Sequence, residues 1–242
     1  MITRIRPVLV AAATSALLLA GCGNEPASDK AFGDKVHAYL MAHPEVLRET
    51  AEALDKKDAR DKIERVKAVI KSDRAKLEND KRDLVINPGG KITVVQFFDY
   101  NCGYCKIAGP EVLALAKSRP DVRFVFKDWP VVGGEESVQA ARAAYGLRHQ
   151  NGEAAIAFYD DLIRARPANA ANIQTIAAIR HLDIAGLHAA ADKADFERYL
   201  QDTGRLAHDL GLEGTPAFIV GDQLFEGSDI QRLKAAIANV KI

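Results

Sequence analysis

Two cysteines three positions apart, Cys102 and Cys105, enclose Gly103 and Tyr104. They follow the apolar run Ile92-Thr93-Val94-Val95-Gln96-Phe97-Phe98 almost directly. A strand that ends on a CxxC opening a helix can carry out thiol–disulfide exchange. That reaction needs a thiolate near neutral pH, where an ordinary cysteine is mostly protonated. Cys102 would stand at a helix N-terminus, where unpaired N–H groups and the helix dipole favour negative charge. It is therefore expected to be the exposed, low-pKa nucleophile. Cys105, one turn deeper, is expected to be the buried thiol that attacks the mixed disulfide and releases the substrate. Gly103 adds no bulk, and Tyr104 offers a hydroxyl or a contact surface.

Other uses of the pair are weaker. Half of a zinc site needs two more ligands. There is no second CxxC, and His43, His149, His181, His188 and His208 show no ligand-like pairing. No metal and no cofactor are expected. A purely structural disulfide that closes so short a loop adds little chain-entropy stabilisation.

The elements around the pair set its context. Ile92 to Phe98 reads as a strand, Cys102 to about Lys117 as a helix, and Val122 to Phe126 as a second strand. Residues from Ser137 to about Leu210 are helical with short breaks. Ala217–Val220 and Gln223–Glu226 form a hairpin about Gly221-Asp222, and Ser228 caps a last helix carrying Ile230, Leu233, Ile237 and Val240. The order predicts an α/β protein: a thioredoxin fold with a helical insertion, about 137–210, between its βαβ and ββα halves. Gly214-Thr215-Pro216, just before the hairpin, resembles the cis-proline loop of the thioredoxin superfamily, which faces the CxxC and pairs with substrate backbone. A cis bond is cheap only before proline. Thr215 and Pro216 join Gly103 and Tyr104 as candidate substrate-binding residues.

Upstream, Glu45 to about Leu84 is charge-rich. Ala59, Ile63, Val66, Ile70, Leu77 and Leu84 recur at steps of three, four or seven, interrupted by Asp73 and Lys81. This predicts a long helix with a narrow apolar seam, after a shorter helix that ends at His43-Pro44. The seam needs a partner: its own catalytic domain, or another copy of the chain. Asn87-Pro88-Gly89-Gly90 marks a boundary.

The extreme N-terminus reads as an export leader. Arg4 and Arg6 precede an apolar stretch, Val8–Ala20, too short to span a bilayer. Leu19-Ala20-Gly21-Cys22 resembles the lipobox of bacterial lipoproteins, which implies cleavage before Cys22 and lipidation of it. The alternative is an ordinary leader with a chance cysteine. Export implies an oxidising compartment, and with Cys22 lipidated only the catalytic pair remains. The expected organisation is leader 1–21, tether 22–28, helical stalk 29–88 and catalytic domain 89–242. A formal net charge of zero gives no reason to expect nucleic acid.

Phe97-Phe98-Asp99-Tyr100-Asn101-Cys102-Gly103-Tyr104-Cys105-Lys106, with Gly214-Thr215-Pro216-Ala217-Phe218 downstream, resembles the DsbA-like periplasmic thiol–disulfide oxidoreductases, from about Lys91 to Ile242. The charged helical N-terminus looks most like the ScsC-type branch, in which some members trimerise through this segment and act as isomerases. The resemblance implies Cys102 as nucleophile, Cys105 as resolving thiol and Thr215-Pro216 as substrate loop. It implies an oxidase or isomerase in the periplasm; the lipobox resemblance implies a lipid anchor, with the outer membrane favoured by Gly23 after its cysteine. Its partners would be cysteine-containing exported proteins and a membrane redox partner, with self-association through 29–88. The link of that branch to copper tolerance supplies an alternative, a lipoprotein binding copper through two soft thiolates. One position departs from the family: where many members carry a buried acid that helps move the resolving thiol's proton, this chain has Gln96. Lys127-Asp128, after the second strand, read either as a lysine that supports the site electrostatically or, by preference, as solvated loop charges.

Overall fold

The computed structural model of the chain describes residues 27–148 and 150–240. The expected leader, Cys22, most of the tether and His149 lie outside them. The chain divides between Lys57 and Asp58 into two units. The first holds α1 (Ala27–Ala42) and the opening turns of α2 (Glu45–Glu78), separated at His43-Pro44 as the sequence predicts. None of its described residues is buried, and Phe32, Tyr39, Met41, Leu47 and Leu54 are each more than half exposed. No helix among the described residues is long and apolar enough to cross a membrane.

The 29–88 segment is therefore not one stalk. From Asp58 onward it belongs to the unit that carries the sheet. Val66, Val69, Ile70 and Leu77 of α2 pack on Val95, Phe97, Val125, Ala217 and Ile219, so this part of the seam is covered by its own domain. Asp73 does interrupt the helix. Its backbone leaves helical geometry (φ −107°, ψ 15°), and its carboxylate accepts from Ser72 Oγ at 3.0 Å and Lys76 Nζ at 2.5 Å. The helix also stops at Glu78, short of Leu84.

Leu84–Ile86 is instead β1, a short strand the sequence reading missed because a three-residue apolar run carries no period. With β2 (Ile92–Phe98), β3 (Val122–Asp128), β4 (Ala217–Val220) and β5 (Gln223–Glu226) it forms a five-stranded sheet in the order β1-β3-β2-β4-β5. Only β2 and β3 pair parallel. Both faces of β2 are covered, so its residues are apolar almost throughout rather than alternating. Val94 and Phe98 share a core with Cys105, Ala108 and Val112 of α3 (Gly103–Ser118) and with Leu233 and Ile237 of α9 (Ile230–Ala238), while Val95 and Phe97 face α2. This is the expected thioredoxin fold.

Between β3 and β4 the chain inserts α4 (Gly134–Arg148), α5 (Gly152–Arg164), α6 (Ala170–Ile179), α7 (Ile184–Lys193) and α8 (Phe196–Asp209). Asn151, Asn169 and Asp183 cap α5, α6 and α7 with side-chain oxygens. Asp229, rather than the expected Ser228, caps α9, accepting from Arg232 N. The α4–α7 contact is close enough to require a glycine: a Cβ on Gly146 would lie 2.0 Å from the Leu187 carbonyl oxygen. Backbone cannot move aside as a side chain can, so Gly146→Ala is expected to destabilise by about 1–3 kcal/mol, read as a lower thermal midpoint. An unchanged midpoint would mean that the two helices separate freely.

Candidate active site

β2 delivers the chain to the end of the sheet, and Cys102 becomes the N-cap of α3 (φ −70°, ψ 123°) with no side-chain cap of its own. The Thr215–Pro216 bond is cis, and the Thr215 carbonyl oxygen lies 3.0 Å from Cys102 Sγ, which donates to it in the thiol form. This corrects the expectation of an exposed nucleophile: Cys102 is 4 % exposed and Cys105 is 0 % exposed. Gly103 and Tyr104 make the accessible rim. A Cβ on Gly103 would meet nothing, and Tyr104 is largely exposed.

Both cysteines are free thiols, and their surroundings push them apart. The Cys105 thiol donates toward Cys102 and holds it down at about 5 against its own burial; Thr215 and the N–H groups of Cys105 and Tyr104 act in the same direction. Cys105 goes far above the ordinary thiol range, chiefly through burial and secondly through Cys102 beside it. A depressed folded-state pKa stabilises the reduced protein above the unfolded value, and that gain is lost as pH falls through the folded one. The stability of the reduced form is therefore expected to rise by up to ~1.4 kcal/mol per pH unit from about pH 5 to about pH 9. Denaturant melts of the reduced protein across that range check this; a flat profile would contradict the thiolate.

The sequence reading did not assign roles to the residues that hold this turn. Asp99, buried, accepts from Asn101 N (2.7 Å) and Ser137 Oγ (2.5 Å) through one oxygen, and from Val132 N (2.7 Å) and Gly133 N (3.3 Å) through the other. Cys102 N donates to the Asp99 carbonyl at 3.2 Å. Asn101 exchanges hydrogen bonds with the backbone of Ala168, and Lys106 Nζ donates to the Ala165 carbonyl. Two loops of the insertion side, 129–133 and 165–169, are thus fastened to the CxxC turn, and the first presents exposed Val131 and Val132. The signal in the sequence was an aspartate three residues before a helix-opening cysteine, a position from which carboxylates commonly bind turn N–H groups.

One other reading changes. Lys127 and Asp128 are not solvated loop charges but the buried end of β3. Lys127 Nζ donates to Asp83 Oδ2 at 2.6 Å, and Asp128 Oδ2 accepts from Arg148 Nη2 at 2.5 Å. Strand alternation turns Lys127 to the face of Val125, away from α3. Gln96 is 1 % exposed, opposite Phe126 on β3 and Phe218 on β4, and neither polar atom of its amide has a hydrogen-bond partner. Among the described residues no group of three or more His, Cys, Asp or Glu side chains is arranged to hold a metal ion.

Comparison with known proteins agrees with this geometry. Residues 93–238 match the DSBA-like thioredoxin domain, and residues 30–60 match the copper resistance protein ScsC N-terminal domain. Among solved structures, a thioredoxin-like oxidoreductase from Silicibacter pomeroyi is 38 % identical, with a TM-score of 0.64 over 68 % of this chain and 95 % of that one. The catalytic domain of Proteus mirabilis ScsC is 26 % identical, TM-score 0.64, over 71 % and 96 % of the two chains. BcfH of Salmonella enterica Typhimurium is 26 % identical, TM-score 0.70, over 87 % and 95 %. A curated sequence, the Na(+)/H(+) antiporter NhaA 3 of Salinispora tropica, is 28 % identical over 169 residues, 64 % of this chain but 24 % of the antiporter. The chain thus spans about a quarter of the length of the curated relatives it matches. With a CxxC at the head of α3, a cis-proline loop above it and a family match over more than half its length, the chain belongs to the DSBA-like thioredoxin domain family.

Proposed function

We propose that this protein is a thiol–disulfide oxidoreductase of exported proteins. Cys102 forms the mixed disulfide, Cys105 resolves it, and Thr215-Pro216 with Gly103 and Tyr104 holds the substrate chain. One observation carries the reading: a low-pKa sulfur at a helix N-cap lies 3.0 Å from the Thr215 carbonyl, with a second, high-pKa sulfur buried behind it. Exposed Tyr104, Ile107, Val131 and Val132 offer apolar contact to an unfolded substrate. The family match supports an exported, periplasmic location, with anchoring through Cys22 part of the proposal.

The low pKa acts more on equilibrium than on attack. Relative to a thiol at 9, a thiol at about 5 is roughly a hundredfold more ionised at neutral pH, but a Brønsted slope of ~0.4–0.5 returns most of that as lower nucleophilicity. What remains is a stabilised reduced form. Thioredoxin, near pKa 7, sits at about −270 mV, and DsbA, near 3.5, at about −120 mV; a thiol at about 5 falls between, at roughly −185 mV. That value leaves a substantial dithiol population and favours an isomerase or reductase over a strong oxidase. The exposed apolar side chains of α1 and early α2 support self-association, which would place several such sites in one assembly.

Equilibration against glutathione tests the redox assignment. A value near that one, falling by ~30 mV per pH unit above about pH 5 and ~59 mV below it, is expected. A value near −120 mV would make the protein an oxidase. The thiolate copper-binding alternative is separated by Pro216→Ala, which should impair exchange with protein substrates and spare Cu(I) binding. Equal loss of both would remove the distinction. Native mass with and without residues 29–57 tests the assembly; a monomer in both forms would exclude it.

A further inference from the structure

The helical insertion carries a groove that the two cysteines do not use. It runs between α5 and α6, has a volume of about 670 Å³, and takes part of its wall from Ala165 and Arg166 in the loop that joins them. Its floor is apolar. Ala154, Ile176 and Leu182 line it while packing against the main core. Ile176 and Ile179, three residues apart, share one face of α6, and Ile179 stands 72 % exposed. Its rim is cationic. Arg164, Arg166 and Arg180 line it against a single carboxylate, Asp161. Arg180 pairs with Asp161, and Arg164 pairs with Asp160 at 2.6 Å. Both pairs are partly exposed, hold little energy and yield easily to a competing carboxylate. Arg166 is exposed and makes no ion pair among the described residues.

The wall of this groove is bonded directly to the CxxC turn. Asn101, the residue before Cys102, accepts from Ala168 N at 2.8 Å and donates to the Ala168 carbonyl at 3.3 Å, and Lys106 Nζ donates to the Ala165 carbonyl. Lys106 stands one helical turn after Cys102, its N–H bonded to the Cys102 carbonyl at 3.0 Å. One lysine side chain therefore spans the gap from that turn to the groove wall, and a few extended residues of a bound polypeptide cover the same distance. The other wall is equally fixed. α5 presses on α3 so closely that a Cβ on Gly109 would lie 2.7 Å from Ile163 Cγ1.

We propose that the groove between α5 and α6 is a second docking site for the substrate polypeptide, and that it takes an acidic, apolar segment lying a few residues from the cysteine that reacts with Cys102. Apolar side chains of that segment lie on Ile176 and Ile179, and a carboxylate meets Arg166. Charge complementarity selects the occupant: a rim of three arginines and one aspartate attracts an acidic chain and repels a basic one. The arginines surround an apolar floor instead of converging on one point, which suits a chain with alternating apolar and acidic side chains better than a small anion. The groove adds hold and selectivity for protein substrates and leaves the sulfur chemistry alone. It rests on the exchange reaction proposed above.

The test uses the full chain and a short fluorescein-labelled peptide of alternating Glu and Leu, with serine where a cysteine would stand, so that binding is read apart from exchange. Fluorescence anisotropy is expected to show saturable binding that weakens about tenfold in Ile179→Glu and several-fold in Arg166→Glu. Both side chains are exposed, so thermal midpoints should match the parent's. A peptide with Lys in place of Glu should bind the parent poorly and gain affinity in Arg166→Glu. With cysteine restored, the acidic peptide should reduce the Cys102–Cys105 disulfide with KM raised by the same factors in the two variants, while glutathione reacts at the parent's rate. Absence of binding, or equal binding by the parent and both variants, overturns the groove. So does a lower midpoint without recovery by the lysine peptide, which marks a structural effect. A native mass that falls in Ile179→Glu gives the groove to a second copy of the chain and overturns it as well. Exchange that survives in Cys102→Ser while the serine peptide still binds overturns instead the assignment of the two cysteines.

Discussion

Cys105→Ser is expected to turn the protein into a trap, accumulating covalent complexes with disulfide-containing substrates, while Cys102→Ser is expected to make none and to lose turnover altogether. The asymmetry follows from position. Cys102 sits under the Thr215 carbonyl at the mouth of the site, with its thiol at about 5. Nearly all of it is thiolate at neutral pH, and a serine hydroxyl there has no comparable ionisation. Cys105 is fully buried and its thiol is held in the protonated state, so a free substrate disulfide cannot reach it. Once Cys102 has captured a substrate, only Cys105 is placed to release it, and serine cannot complete that attack. Non-reducing electrophoresis after incubation with a disulfide-bonded protein reads both variants. Complexes with Cys102→Ser, or none with Cys105→Ser, would reverse the order of attack. The parallel change in alkylation rate, with its midpoint near pH 5, should belong to Cys102 alone.

Lys127→Met is expected to cost about 3–5 kcal/mol, because it strips the partner from a buried carboxylate. The side chains of Lys127 and Asp83 are 1 % and 0 % exposed, and they meet at 2.6 Å. Burial pushes the Asp83 carboxyl up to about 6, with the Lys127 charge opposing. A chain of this size loses about 2–4 °C of thermal midpoint per kcal/mol, so the variant should melt roughly 6–20 °C lower. Asp83→Leu combined with Lys127→Met removes both charges and is expected to recover most of the loss, since apolar replacements of buried pairs are often neutral or better. A double variant as unstable as the single one would show that the Tyr199 hydroxyl, which also bonds Asp83 at 3.1 Å, carries the network. Asp83 has the sign opposite to that of Cys102. Its raised pKa means that the folded state binds the proton more tightly, so its contribution falls as pH rises from about 4 to about 6 and is level above.

The chemistry was legible in the residues because it depends on local spacing. CxxC after an apolar strand places one sulfur at a helix N-cap and the other a turn inward, whatever the rest of the fold does. The two strands of the hairpin and the break at His43-Pro44 were equally local, set by Gly221-Asp222 and by a proline that tolerates only a helix start. Tertiary structure decided everything that depends on what lies opposite. It buried Cys102, because the Thr215-Pro216 loop from more than a hundred residues downstream closes over it. It turned Lys127 and Asp128 from apparent loop charges into the core of an ion-pair network, because Asp83 and Arg148 arrive from distant elements to meet them. It divided the long helical segment at Asp58, because only from there on does its seam find the sheet. Period and spacing report which face of an element is apolar, but not whether a partner strand, loop or helix covers it, and that covering sets the pKa values and buried charges on which the exchange reaction depends.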